Sequence, residues 1–503
     1  MPAAPLQRSL GASARAALLW GGGFTLLRDV AQFALMLILV RLLNPADYGT
    51  AAFVQSIVGF LSMISYSTFS LHALQIRDPE TIDWQAHFSI ATVLNGSVFC
   101  IVLLSAYGLS FTVTYRDVAW PLAALGAGFL IEIPGTMRAR MLEANHEWKR
   151  FRLQLGIGTL LGMSVGLTVA LLGGGVWALI LQPPMLGLPA AFDLLVLARF
   201  RPDFTWSWDR YRETIWFGLN RVSSGTVGRA RSLNENMLLS SIFDLATLGF
   251  FTRANGLGNL LAGRIGSIAM TSLYPVVTRA ERGSQRFRRL STLALRGVCW
   301  ATAPAVIFLS VAAHDIVLLL YGAKWQNVIP LLPLAAVASG TIGIWNALAL
   351  LLLANEDTRA ALLLDVVAAL SAIALAFLLV PYGAIAYLGG LAVHAAIFVG
   401  ITAVVLLKRR ATSIAGVAVA IFPAIGGSLS GALAVVGLRA CIGADLTLPL
   451  RILLEGATVG LTYLLTLRIF FAIPLAELLS VVPGGRTLAR GLLLSSDIFE
   501  NDA

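Results

Sequence analysis

Residues 352–386 read LLANEDTRAALLLDVVAALSAIALAFLLVPYGAIA, and between Arg359 and Pro381 the one ionisable residue is Asp365. An apolar run of about twenty residues is what a bilayer requires of a crossing helix. Both flanks of the run recur elsewhere. Leu352-Leu353-Ala354-Asn355 matches Leu142-Glu143-Ala144-Asn145, and Tyr382-Gly383-Ala384-Ile385-Ala386 parallels Gly174-Gly175-Val176-Trp177-Ala178. A looser pair is Asp47-Tyr48-Gly49 with Asp244 to Gly249-Phe250. The offsets all lie near 200 residues, about six membrane helices, so the chain reads as a duplication.

Composition extends that reading to the whole molecule. The 503 residues are 58% apolar and 12% charged, with mean hydropathy +0.82. Soluble domains carry roughly 25% charged residues, so this is an all-α integral membrane protein by composition alone. The net charge of +10 is concentrated between apolar runs. Arg138, Arg140, Lys149, Arg150, Arg199, Arg201, Arg286, Arg288, Arg289, Lys408, Arg409 and Arg410 all fall in the tails or in alternate loops. That asymmetry is the positive-inside pattern; it places both termini in the cytoplasm and leaves no reason to invoke nucleic acid. Cys100, Cys299 and Cys441 are far apart and read as small apolar residues.

About fourteen spans follow from run length. They predict a cytoplasmic tail at 1–17, an N-lobe of helices one to six at 18–200 and a C-lobe of helices seven to twelve at 201–410. Two additional helices at 411–472 and a cytoplasmic tail at 473–503 complete the chain. The most polar spans are 214–240 and 247–276, and 314–324 is too short to cross. Pro183-Pro184 and Pro189 break or kink the sixth span.

Arginines interrupt the apolar pattern. Arg28, Arg221, Arg229, Arg231, Arg253 and Arg264 lie inside predicted spans. An intramembrane cation costs roughly 2.5–3.5 kcal/mol at mid-helix, so such residues face a wet or protein-lined interior. On the seventh span Arg221, Ser224, Gly225, Gly228, Arg229, Arg231, Ser232, Glu235 and Asn236 project to one side. Arg253 and Arg264 share a stripe of the eighth, and Arg28 shares one with Gly21, Thr25 and Gln32. Guanidinium stays charged and grips phosphate or carboxylate oxygens in a fork, which points to an anionic cargo.

The competing reading is structural pairing with Asp29, Glu132, Asp193, Glu235 or Asp365. Arg231 and Glu235, one turn apart, are the pair it predicts first. Asp29, Glu235 and Asp365 are also the candidates for ion or proton coupling. His394 reads as a hydrogen-bonded core residue. No metal-ligand spacing, Walker loop or nucleophile–base pair is present in the sequence, so neither catalysis, cofactor nor metal is expected.

Several segments resemble one known group. Arg41-Leu42-Leu43-Asn44-Pro45-Ala46-Asp47-Tyr48-Gly49 and Leu248-Gly249-Phe250-Phe251-Thr252-Arg253-Ala254 are the more specific. Leu273-Tyr274-Pro275-Val276-Val277-Thr278-Arg279, Leu320-Tyr321-Gly322-Ala323-Lys324-Trp325 and Pro381-Tyr382-Gly383-Ala384-Ile385 are shorter. Together they resemble the polysaccharide transporters (O-antigen-flippase-like) of the multidrug/oligosaccharidyl-lipid/polysaccharide superfamily. The resemblance implies a MATE-like fold of two six-helix lobes with a cation-lined cavity. It implies as cargo an undecaprenyl-pyrophosphate-linked anionic oligosaccharide, crossing the bacterial inner membrane for exopolysaccharide, capsule or O-antigen synthesis. Membrane lipids, a polysaccharide polymerase and glycosyltransferases are the partners it implies. A lipid-II flippase and a cation-coupled multidrug exporter are the alternatives on the same fold.

Overall fold

The computed structural model describes residues 28–204, 207–265, 274, 277–441 and 446–481. Gly21 and Thr25 of the expected cationic stripes lie outside these residues, as do the tail at 1–17 and residues 482–503. Among the described residues every regular element is helical. Ten helices among the described residues are long and apolar enough to cross a bilayer, or eleven if the bent pair Pro45–Ile64 and Tyr66–Gln75 is one span. Contacts divide the chain into two compact units, Met1–Gly249 and Phe250–Ala503.

In the first unit α1 covers 28–42 and α2 is Pro45–Leu61. The Asp47 carboxylate accepts the Asn44 amide at 2.8 Å, and Pro45 occupies the first turn, where no amide is missed. The span bends by 46° beyond α2 and runs on to Gln75. There follow α3 (Trp84–Ser110), α4 (Arg116–Ala144), α5 (Trp148–Leu171), α6 (Trp177–Leu197) and α7 (Trp208–Ile242). Buried Asn95 on α3 knits three elements: it accepts the Tyr66 amide at 2.8 Å and donates to the Phe129 carbonyl at 2.9 Å. As expected from its prolines, α6 is broken into short helical pieces and closes with a π-helical turn, Asp193–Leu197.

α7 starts at Trp208, earlier than the apolar pattern predicts, and is too polar to count as a span on composition alone. The repeat assigns it to the 201–410 lobe, yet within the first unit it packs on α2 and the bent segment after it. Thr214 and His72 share a hydrogen bond at 3.0 Å, and Arg210 meets Asp83 at 2.7 Å. Burial opposes the Asp83 charge, but the Ala86 amide and Arg210 outweigh it and hold the carboxyl below its usual range. A depressed carboxyl supports the fold above its unfolded pKa and loses that support as pH falls through the folded one.

α8 (Leu245–Gly258) crosses the unit boundary. The second unit continues with α9 (Gln285–Val311), α10 (Leu332–Ala354), α11 (Thr358–Leu379), α12 (Ala384–Lys408), α13 (Ile414–Cys441) and α14 (Leu448–Phe470). The two additional helices are built into this unit. α13 and α14 pack on α9, where the Trp300 indole donates to the Ala420 carbonyl at 3.1 Å. Ala313–Leu320 in the short segment is a helix with Asp315, Ile316 and Val317 buried. The expected tail begins as a helix too: Ala472–Val481 buries Leu475 and Ala476, and Glu477 reaches Arg296 at 2.9 Å. Its apolar residues at helical spacing account for this docking.

Helix ends at the matched places are built alike. α4 ends with Asn145 and then His146 at φ 57°, and the Glu147 amide returns to the Leu142 carbonyl at 2.8 Å. α10 ends with Asn355 and then Glu356 at φ 57°, and the Asp357 amide returns to Leu352 at 3.0 Å. Arg199 after α6 and Arg410 after α12 form a second such pair, at φ 50° and 55°. These are the left-handed caps that close helices by satisfying their last carbonyls. Non-glycine residues adopt them rarely, and these four fall in two pairs close to the expected repeat offset.

Candidate functional site

The face expected to be polar on α7 is open only in its middle. Arg221, Gly228, Arg229 and Ser232 are exposed there, while Thr214, Gly218 and Leu239 on the same side towards the helix ends, and Glu235, are buried. Arg229 is anchored: its Nη1 donates to the Gly59 carbonyl at 2.8 Å and to the Ser62 hydroxyl. It thereby places a cation at the C-terminal end of α2, where the helix dipole favours one. The expected Arg231–Glu235 pair is not formed. Glu235 is buried, whereas Arg231 is half-buried with no ion pair or hydrogen bond among the described residues. Arginine preceding glutamate by one turn is also the weaker orientation for such pairs.

Arg28 is half-buried and pairs with neighbouring Asp29 at 3.0 Å. In the second unit Arg264 is exposed, just after the π-helical turn Asn259–Gly263, and Arg253 is half-buried. Arg253 lies close to Tyr321, whose phenol is pushed up to about 12 by burial while the guanidinium pulls the other way. Phe250 meets fully buried Trp325 edge to face at 5.9 Å, and Tyr321 lies 5.7 Å from the same ring. Two of the recognised segments, 248–254 and 320–325, therefore form one packing node.

The acids sort differently from the pairing expectation. Asp193 is the most heavily partnered: Arg138 Nε at 2.5 Å, Arg150 Nη2 at 2.6 Å and Gln154 Nε2 at 2.7 Å all donate to it. Two of its partners were assigned from sequence to a topology-setting loop. Asp365 is exposed on α11 beside Leu362 and Leu363 and forms no hydrogen bond or ion pair among the described residues. Glu132, half-buried within α4, has none there either. His394 shares a hydrogen bond with Ser371 at 2.8 Å, as expected.

Glu132 lines a half-open cavity of about 390 Å³ between α2, α4, α5 and the broken α6. Thr136, Gln154, Pro183, Pro184 and Gly187 also line it. Glycines hold the broken span close. A Cβ on Gly135, Gly158 or Gly162 would come within 2.8, 2.4 or 2.9 Å of the Gly187, Leu186 or Gln182 carbonyl oxygen. Sequence reasoning missed this site. The signal for it was an isolated glutamate among Phe129, Leu130, Ile131 and Ile133, combined with the prolines of the sixth span.

The chain is 24% identical over 315 residues to the succinoglycan biosynthesis transport protein ExoT of Rhizobium meliloti (strain 1021), covering 62% of this chain and 63% of that protein. It thus spans less than two thirds of that relative's length. Its fold is similar to that of the lipid II flippase MurJ in an inward closed conformation, with TM-score 0.69 and 13% identity over 89% of this chain and 99% of the other. It is also similar to an inward-facing multidrug resistance MATE family transporter of the MOP superfamily, with TM-score 0.51 and 14% identity over 76% and 95%. At such identities the likeness shows the fold alone, and that fold is the MATE-like one expected. A family model described as "Polysaccharide biosynthesis protein" matches residues 38–330, more than half of the sequence, and the chain belongs to that family.

Proposed function

We propose that the chain is a flippase. It moves undecaprenyl-pyrophosphate-linked oligosaccharide repeat units from the cytoplasmic to the outer leaflet of a bacterial inner membrane, by alternating access and with both termini cytoplasmic. The observation that carries this reading is the exposed stripe of Arg221, Gly228, Arg229 and Ser232 on α7, a helix inside the family-matched region. Small residues beside guanidinium groups leave room for pyrophosphate and acidic sugars, which accept their forked hydrogen bonds. Arg28, Arg231, Arg253 and Arg264 are proposed as further cargo contacts, and Arg229 divides its donors between cargo and the end of α2.

A hydrogen bond to a charged group contributes about 1.5–3 kcal/mol. Arg221→Ala, Arg264→Ala and Arg28→Ala should each lower polymer export roughly 10- to 100-fold in a strain dependent on this protein. Membrane levels should stay at wild type, and Arg221→Lys should fall between. Undiminished export from all three alanine variants would overturn the reading. The MurJ-like fold favours a second reading, transport of lipid II. Restored peptidoglycan synthesis in a cell lacking its lipid-II flippase, with no effect on surface polysaccharide, would select it.

A further inference from the structure

The structure assigns to the second unit a binding surface for the phosphate headgroups of anionic phospholipids, built from three loops at one end of its helices. They are the segment before α9 (residues 278–290), the loop between α10 and α11 (355–360) and the loop between α12 and α13 (408–413). Ion pairs tie them together. Arg282 pairs with Glu356, and Arg409 Nε meets the neighbouring Asp357 at 2.7 Å. The Thr292 and Thr412 hydroxyls share a hydrogen bond at 3.3 Å, which brings the third loop against the early turns of α9. Phe287 is fully buried between Arg286 and Arg288 and pins the start of that helix.

These loops hold nine basic residues and three acids, Glu281, Glu356 and Asp357. Two of the acids are already matched by Arg282 and Arg409. Arg279, Arg286, Arg359, Lys408 and Arg410 are exposed, and their side chains form no hydrogen bond or ion pair among the described residues. Topology accounts for basic residues in such loops but does not exclude acids, which hardly affect orientation. The corresponding loops of the first unit bear this out: residues 77–83, 138–152 and 199–213 hold ten basic and eight acidic residues. The second unit omits that compensation. The first turn of α9, where the helix dipole favours an anion, also carries Arg286 and no acid. A concentrated surplus of this kind attracts an anionic partner.

The surroundings identify the anion as lipid-borne. α12 runs Ala384–Lys408, and at about 1.5 Å per residue it is long enough to span the hydrocarbon layer. Lys408 ends it at headgroup depth and continues the exposed face of Ile401 and Val404. Arg359 stands one turn before exposed Leu362 and Leu363, and Ile414, four residues after Arg410, is 77% exposed. The free cations thus border apolar surface against which acyl chains lie. A phospholipid meets both at once, with its phosphate and its tails. Guanidinium groups grip phosphate oxygens in a fork, so adjacent loops can share one headgroup.

Headgroup binding here is independent of the cargo, so the test uses the purified full-length protein without it. Wild type in nanodiscs of phosphatidylcholine, with or without phosphatidylglycerol, is treated with phenylglyoxal, which modifies accessible arginines, and the adducts are mapped by mass spectrometry. Phosphatidylglycerol should protect Arg279, Arg286, Arg359 and Arg410 and leave Arg201 and Arg212 of the first unit reactive. In parallel, native mass spectrometry counts the phosphatidylglycerol retained after detergent extraction. It compares wild type, a variant with Arg279→Gln, Arg286→Gln, Arg359→Gln and Arg410→Gln, and a control with Arg77→Gln, Lys149→Gln, Arg201→Gln and Arg212→Gln. A basic residue near an anionic surface strengthens binding roughly fivefold, so the second-unit variant should retain at least about tenfold less lipid. The control should match wild type. Equal loss in both variants, equal protection of both units, or no protection by phosphatidylglycerol overturns the inference. Complete displacement of the lipid by inorganic phosphate also overturns it, because the surface then serves a soluble anion. The wild-type labelling decides the matter even if the second-unit variant folds poorly.

Discussion

Gly49→Ala should leave little monodisperse protein in detergent, and Gly249→Ala should do the same. A Cβ at position 49 would sit 1.6 Å from the Leu245 carbonyl oxygen, and one at 249 would sit 2.0 Å from that of Pro45. Both obstacles are backbone, so no rotamer change relieves them; one helix start must slide past the other by more than an ångström. Overpacking ordinarily costs about 1–3 kcal/mol and occasionally more, and a backbone obstacle belongs at or above the upper end. Gly108, which has nothing within 4 Å of its would-be Cβ, provides the control. Size-exclusion profiles and unfolding midpoints should separate Gly108→Ala, near wild type, from the other two. If Gly49→Ala matches Gly108→Ala, the close crossing is wrong.

The same contact shows what the sequence could and could not disclose. Gly49 meets Leu245, and Gly249 meets Pro45, so each motif touches the other at the equivalent position. From sequence, Asp47-Tyr48-Gly49 and Asp244 to Gly249 form the loosest pair in the duplication. Their resemblance was legible because close approach tolerates only glycine at both places. That the two glycines face one another was not legible, since a repeat shows equivalence and not adjacency.

Helix ends divide in the same way. The Asn145 and Asn355 motifs were recognisable as repeats, whereas their left-handed successors, His146 and Glu356, share no residue type and emerge only from the dihedrals. The polar face of α7 followed from its period. Its packing partners did not, because a face rich in glycine and serine suits both a wet cavity and a close helix contact. The acids were the least legible. Arg138 and Arg150 lie near Glu132 in sequence, and nothing local says that both should turn to Asp193, 55 and 43 residues on. The prolines and the π-helical turn of α6 bring that carboxylate within their reach, which is a property of the broken span as a whole.

Asp193→Ala should be the most damaging single change among the charged residues. Asp193 is 3% exposed and Arg138 side-chain exposure is 12%, so truncating the acid strands a guanidinium beside apolar helices. Breaking a buried pair from one side costs about 3–5 kcal/mol, most of it the uncompensated charge that remains. Arg150, nearly half exposed, can turn to water and should contribute much less. The distinction is measurable by a double-mutant cycle. Arg138→Met in the Asp193→Ala background should recover much of the lost unfolding midpoint, because it removes the stranded charge, while Arg150→Met should recover little. Equal rescue by Arg138→Met and Arg150→Met would show that burial is not what makes this cluster costly to break.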